Sequence, residues 1–131
     1  MFVIKVYAEA AEKEVSALLD KKNIFPKRRE QLQPVIEAVI EAITYGFVAI
    51  AEDGSIVQTL VTPVGGITEL KYADRVAPAI MSKVIGALKV DNQSARNIAY
   101  VNQYTGILTA TLEKLEPADR NIAESISLFF Q

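Results

Sequence analysis

The sequence contains no cysteine, no histidine and no tryptophan. Without cysteine there can be no disulfide, no thiol nucleophile and no thiolate metal site. Without histidine the chain lacks the side chain whose ordinary pKa suits proton transfer near neutral pH, which excludes histidine-based triads and metal centres. Carboxylate or lysine chemistry remains possible. We therefore predict a protein that is not an enzyme, with no catalytic residues, no metal and no cofactor.

Long apolar runs and a strong net charge are also missing. No run approaches the roughly 18 apolar residues that span a bilayer, and the N-terminus lacks the basic start and apolar middle of a signal peptide. The net charge of -2 gives no overall attraction to nucleic acid or to anionic membranes. We expect a cytoplasmic protein, without membrane association, whose 131 residues form a single domain, 1–131.

The first 72 residues mix strand and helix signals. Asp53-Gly54 suits a tight hairpin turn because both residue types accept a positive φ, and Gly65-Gly66 is read as a second turn. Alternating apolar and β-branched residues predict three strands, or four with the N-terminal one. The predicted strands are 2–7, 47–51, 56–62 and 67–72.

Helical periodicity dominates elsewhere. One apolar stripe runs along residues 32–43 and another along 76–88, both at the 3.6-residue period of an amphipathic helix. Asp74 is predicted to cap the second of these, and Asp91-Asn92 to form a turn and the next cap. Residues 107–115 are left open as a short helix or a loop. The other predicted helices are 9–20, 95–106 with a stop at Gly106, and 119–130 with a start at Pro117.

Together these patterns predict an α+β fold. A small antiparallel sheet of three or four strands packs with helices, and a C-terminal helical bundle follows. The composition changes near Tyr72, so residues 1–72 form a mixed α/β part and residues 73–131 an all-helical part of the same domain.

Two groups of side chains are candidate contact surfaces. Tyr100 and Tyr104 lie four apart on one helical face, and a helix cannot bury Leu128, Phe129 and Phe130 on a single face. Partner contact and core packing are both open for these residues. A basic patch of five residues without an acid could contact phosphates, or could be a solvated helix junction: Lys21, Lys22, Lys27, Arg28 and Arg29.

The carboxylates near the C-terminus are better explained by capping than by chemistry. Glu113, Glu116 and Asp119 flank a turn, and no pocket signal accompanies them. Asp119 follows Pro117 and fits the first turn of a helix, where a negative charge is favourable.

From Leu70 onward the chain resembles the tail assembly chaperones of tailed bacteriophages, especially those of Mu-like and P2-like contractile-tail phages. Four segments carry the resemblance. They are Leu70-Lys-Tyr72-Ala-Asp-Arg75 entering a helix, the polar break Val90-Asp-Asn-Gln, the helix stop Thr105-Gly106-Ile107-Leu108, and the pattern from Leu112 to Asp119 that opens the last helix. The N-terminal half is longer than the usual opening of the family.

The resemblance implies a non-catalytic role in the host bacterial cytoplasm. Chaperones of this kind coat the tape-measure protein while tail-tube subunits assemble around it, so both proteins are expected partners. Apolar stripes in excess of what a small sheet can bury also predict a homo-oligomer. We expect Phe129→Asp together with Phe130→Asp to abolish client binding and to leave the fold intact.

Two alternative functions stay open. One is a structural tail protein, such as a terminator or connector, which would remain in the virion. The other is a small nucleic-acid-binding regulator, which would depend on the basic patch and lose affinity steeply with salt.

Overall fold

A computed structural model describes residues 2–88 and 92–131, and within these ranges the chain forms seven helices and one three-stranded sheet. The predicted α+β fold class is confirmed, including the helical C-terminal region. The elements are α1 (Ala8–Lys21), α2 (Pro26–Gln31), α3 (Gln33–Thr44), β1 (Val48–Ile50), β2 (Ile56–Val64), β3 (Ile67–Tyr72), α4 (Pro78–Gly86), α5 (Gln93–Thr105), α6 (Thr109–Leu112) and α7 (Pro117–Leu128).

The sheet is antiparallel, with strand order β1-β2-β3. Ile50 pairs with Ile56 across the Asp53-Gly54 turn, where Gly54 has a φ of 92° and Asp53 Oδ1 accepts from the Ser55 N–H at 2.8 Å. The β2–β3 register is irregular between Thr59 and Val64. Val64 pairs with Ile67 across Gly65-Gly66, so both predicted turns are confirmed.

The predicted N-terminal strand at residues 2–7 is wrong. The backbone N–H groups of Lys5 and Val6 both donate to the Thr44 carbonyl, at 2.7 and 3.2 Å, and no strand among the described residues pairs with this segment. An alternating pattern forms a strand only where a partner strand is available, and here the segment lies across the end of α3. Phe2 instead places its ring 5.6 Å from Tyr45, and the sheet has three strands rather than four.

Two prolines set the helix starts in the first half. Pro26 begins α2, and Pro34 lies in the first turn of α3, where its missing N–H costs no hydrogen bond. The apolar stripe of α3 faces inward at Ile36, Val39 and Ile43, as its period predicts.

The predicted cap at Asp74 is wrong, since α4 begins at Pro78 with Ala77 as its N-cap residue. Proline disfavours helical geometry at the residue before it. Ala77 precedes Pro78 and accordingly has an extended ψ of 131°. Both ends of α5 are confirmed: Asn92 Oδ1 accepts from the Ala95 N–H at 3.1 Å, and Gly106 is left-handed with a φ of 74°. The other half of that predicted turn, residue 91, lies outside the described residues.

The helices cover one side of the sheet. α1 and α3 contact β1, α7 contacts β2, and α5 contacts β3, while α7 also packs on α3 and α5. One continuous buried cluster therefore draws side chains from both the mixed and the all-helical parts of the chain. Residues 107–115 contain the four-residue helix α6, and α7 starts at Pro117 as predicted.

Candidate functional site

Three of the sequence-predicted contact residues form a single aromatic stack. Tyr100 and Tyr104 lie one turn apart on α5 with ring centroids 6.3 Å apart, and Phe130 stacks on Tyr104 at 3.9 Å with an interplanar angle of 6°. The ring centroid of Tyr72, at the end of β3, lies 6.2 Å from that of Phe130. Helical spacing brings the two tyrosines together, and tertiary packing adds Phe130, which is 26 positions beyond Tyr104.

This aromatic stack (Tyr100, Tyr104 and Phe130) forms one wall of a cleft of about 530 Å³, which we name the α4 cleft. That volume lies within the range of natural ligand sites, roughly 300–1,000 Å³. Helix α4 and the turn before it form the opposite wall. The residues from that wall are Val76, Pro78, Met81, Ser82, Ile85 and Gly86.

Helix α4 is apolar but little of it is buried. Met81 is its one buried side chain, while Ile80 is 49 % exposed, and α4 packs mainly on α5. Leu88, just beyond the helix, is 36 % exposed. A helix that exposes large apolar side chains in this way is typical of a surface that contacts another protein.

Tyr100, Tyr104 and Ser82 are the residues with hydroxyl groups among those that line the cleft. Burial raises the pKa of the Tyr104 phenol, so this group remains neutral at physiological pH. A neutral phenol can donate or accept a hydrogen bond while its ring packs against apolar groups. The arrangement is suited to binding and contains no paired nucleophile and base.

The three C-terminal residues of the prediction lie in different environments. Phe129 is 3 % exposed and belongs to the core, whereas Leu128 and Phe130 are half-buried. Phe129 is therefore not available for partner contact, and an aspartate in its place would put an unpaired charge in the core. The expectation that Phe129→Asp with Phe130→Asp leaves the fold intact has to be withdrawn.

The basic patch does not form one free surface. Lys21 Nζ donates to the Glu52 carbonyl at 3.1 Å, and Lys22 Nζ donates to the Asp74 carbonyl at 3.0 Å. Arg29 pairs with Asp20 at 2.6 Å. Lys27 is exposed and Arg28 half-buried, so the five cations are divided between intramolecular contacts and solvent.

Lys22 connects the basic patch with the aromatic stack. Its ammonium lies 4.6 Å from the Phe130 ring centroid, within cation–π distance. Burial lowers the pKa of Lys22, and the nearby Asp74 carboxylate partly opposes that effect. Lys22 is thus better placed to hold Phe130 in the stack than to contact phosphate.

A buried polar network was not predicted from the sequence. Asp119 is fully buried in the first turn of α7, where its two carboxylate oxygens accept from the backbone N–H groups of Val61 and Thr62 at 2.7 and 2.9 Å. The first-turn position is confirmed, yet the carboxylate binds β2 instead of capping its own helix. The sequence signal that could have indicated this network was Gln58, a polar residue at an inward-facing strand position between Ile56 and Leu60.

A second, smaller groove of about 260 Å³ lies between α3 and α7. Phe2 and Tyr45 form part of its wall, with Val61 from β2 and Ile122 from α7. It carries none of the residues predicted to contact a partner.

Across residues 2–88 and 92–131, no three acidic side chains come close enough together to hold a metal ion. Among the helices of these same ranges, none is both long and apolar enough to cross a membrane. No protein-family model, no curated protein and no solved structure matches this chain.

Proposed function

We propose that this protein is a phage or prophage tail assembly chaperone that binds the tape-measure protein without catalysis in the host bacterial cytoplasm. The observation that carries the proposal is the convergence of Tyr100, Tyr104 and Phe130 on the α4 cleft. The sequence resemblance in the C-terminal half supplies the identity of the client. The tail-tube protein, which assembles on the same client, is the second proposed partner.

The α4 cleft suits an apolar side chain from an amphipathic helix. A Leu or Phe that enters it would contribute about 2 kcal/mol through burial. Specific association needs several such contacts, and the apolar residues Val76, Met81 and Ile85 along the α4 wall of the cleft can supply them. Recognition by helix-in-groove packing requires no reactive group.

The regulator alternative has less support, because Lys21, Lys22 and Arg29 are engaged within the chain. A structural tail protein stays the main alternative. It would be recovered in purified virions, whereas a chaperone would be absent from them.

Co-purification with the tape-measure protein tests the proposal. Ser82→Trp places a bulky ring in the α4 cleft from an exposed position, so it blocks the cleft without removing a core contact. Ala79→Trp adds the same ring to an exposed position of α4 that does not line the cleft. We expect Ser82→Trp to weaken client binding by about tenfold or more, equivalent to about 1.4 kcal/mol, and Ala79→Trp to bind as the wild type does.

Circular dichroism of both variants provides the control for folding. Equal client recovery with folded Ser82→Trp and folded Ala79→Trp would show that the α4 cleft is not the binding site. Failure of the wild type to retain the tape-measure protein would overturn the proposed function itself.

A further inference from the structure

Strand β3 forms one edge of the sheet. The strand order is β1-β2-β3, and within the described parts of the chain no strand pairs with the outer side of β3. Just past its end, the Ala73 N–H points away from β2 and donates to the Tyr104 carbonyl at 2.8 Å. Because backbone direction alternates along a strand, the N–H groups of Lys71 and Glu69 point to that same outer side.

The side chains of β3 divide cleanly between two faces. Leu70 and Tyr72 are both 1 % exposed and point into the core. Glu69 and Lys71 lie on the solvent face, with side chains 42 % and 75 % exposed and 3.5 Å between Oε1 and Nζ. Up to Tyr72 the outer edge therefore presents backbone hydrogen-bonding groups beside one negative and one positive charge, and at Ala73 the end of α5 occupies the edge.

We propose that the β3 edge pairs antiparallel with β3 of a second copy of this chain, with Leu70 opposite the partner's Leu70. In this register Glu69 lies opposite the partner's Lys71, and Lys71 lies opposite the partner's Glu69. A two-fold axis perpendicular to the sheet produces both ion pairs at once. The product is a continuous six-stranded sheet with both helical layers on the same side.

The charge pattern selects this register among its neighbours. A shift by one residue would pair side chains from opposite faces of the sheet, which regular antiparallel pairing does not allow. A shift by two residues would place Glu69 opposite the partner's Glu69, or Lys71 opposite the partner's Lys71. Like charges directly opposite each other destabilise a sheet, whereas opposite charges stabilise it.

A second copy fits this edge better than an unrelated strand does, because the sequence around Leu70 is complementary to itself. The edge also holds the backbone groups of Glu69 and Lys71 in the positions that bond the partner's Lys71 and Glu69. Charged residues on an edge strand can also serve to prevent pairing. If the charges of Glu69 and Lys71 prevent pairing, the protein is a monomer.

Sedimentation equilibrium of the full chain tests the proposal. We expect the mass to rise from 14.4 kDa toward twice that value as the concentration increases to about 1 mM, the weak end of specific association. Glu69→Lys and Lys71→Glu each replace both ion pairs by pairs of like charge. Each should therefore weaken association by about tenfold or more. The double variant, Glu69→Lys with Lys71→Glu, should restore it.

Glu30→Lys and Lys13→Glu reverse charges at exposed positions on α2 and α1, and should leave association unchanged. Amide hydrogen exchange of residues 67–72 should slow as the wild type associates. A monomer over the whole concentration range would overturn the proposal. A dimer that tolerates both single reversals, or that the double variant fails to restore, would overturn it equally.

This proposal is independent of the proposed function. The association is measured without a client, and Ser82 lies on α4 rather than on β3. Failure of dimerisation therefore leaves client binding by the α4 cleft untouched, and failure of client binding leaves the dimer untouched.

Discussion

The side-chain amide of Gln58 on β2 donates a 2.9 Å hydrogen bond to the backbone carbonyl of Asp119 on α7, and both residues are fully buried. Gln58 Oε1 in turn accepts from the Tyr72 hydroxyl at 2.8 Å. The Asp119 carboxylate accepts from Val61 and Thr62, within the irregular part of the β2–β3 register. The last helix is thus fastened to the sheet by a fully paired polar network.

The first prediction concerns Asp119. Asp119→Ala should lower the free energy of unfolding by about 2–4 kcal/mol, because the N–H groups of Val61 and Thr62 would lose a charged acceptor. Urea denaturation followed by circular dichroism measures the change. Asp20→Ala is the matched control: its ion pair with Arg29 is 70 % exposed on the Asp20 side, so the loss should stay below about 1 kcal/mol. Equal losses for the two variants would contradict the role of the network.

The second prediction concerns the C-terminal aromatic residues. Phe129→Ala should lower the free energy of unfolding by about 3–5 kcal/mol, because it leaves a cavity in the core. Leu108→Ala removes an apolar side chain that is 71 % exposed, and should change stability by less than about 0.5 kcal/mol. Urea midpoints of the two variants give the comparison. A small loss for Phe129→Ala would mean that this residue is not part of the core.

The third prediction concerns alkaline pH. Burial raises the pKa of the Tyr72 phenol far above its ordinary value of 10.0, and also raises that of Tyr104. The contribution of these two phenols to the free energy of unfolding is therefore complete below about pH 10 and is lost as the pH rises further. The reason is that the unfolded chain then releases phenol protons that the folded chain keeps. We expect the free energy of unfolding to fall between about pH 10 and about pH 11.

Tyr72→Phe provides the control for that experiment. This variant should be less stable near neutral pH, since Gln58 Oε1 loses its donor, by about 1–3 kcal/mol. Above about pH 10 its stability should fall less steeply than that of the wild type. The lowered pKa of Lys22 affects both proteins alike. Identical slopes would exclude Tyr72 as the source of the pH dependence.

The fourth prediction concerns the ends of α5. Asn92→Ala should cost about 1 kcal/mol because the Ala95 N–H loses its cap. Gly106→Ala should cost about 1 kcal/mol through its φ of 74° alone, since an added Cβ would meet no atom within 4 Å. Thermal unfolding measures both. Gly106→Asn should cost less than Gly106→Ala, because asparagine tolerates the left-handed region better; the reverse order would point to a clash instead.

Much of the secondary structure followed from local sequence. Asn92 and Gly106 delimit α5, and Pro117 begins α7, because capping and proline geometry depend on neighbours within a few residues. The stripe of α3 predicted its buried face for the same reason. Where two local signals competed, as at Asp74 and Pro78, the fixed geometry of proline determined the start of the helix.

The candidate site could be predicted only in part from the local sequence. The spacing of Tyr100 and Tyr104 placed them on one face, yet nothing local indicated that α4 would form the opposite wall of a cleft. Phe129 and Phe130 are adjacent in sequence, but one lies in the core and the other in the stack. Their difference arises from the elements that surround the end of α7.

The sequence by itself determined the α+β class, most helix and strand ends, and the lack of histidine and cysteine chemistry. Tertiary structure alone decided that residues 2–7 stay outside the sheet, that Asp119 binds β2, and that β3 is an edge strand. Capping and periodicity act between residues a few positions apart. Burial and strand pairing join residues such as Gln58 and Asp119, which are 61 positions apart, and these contacts exist only after the whole chain has packed.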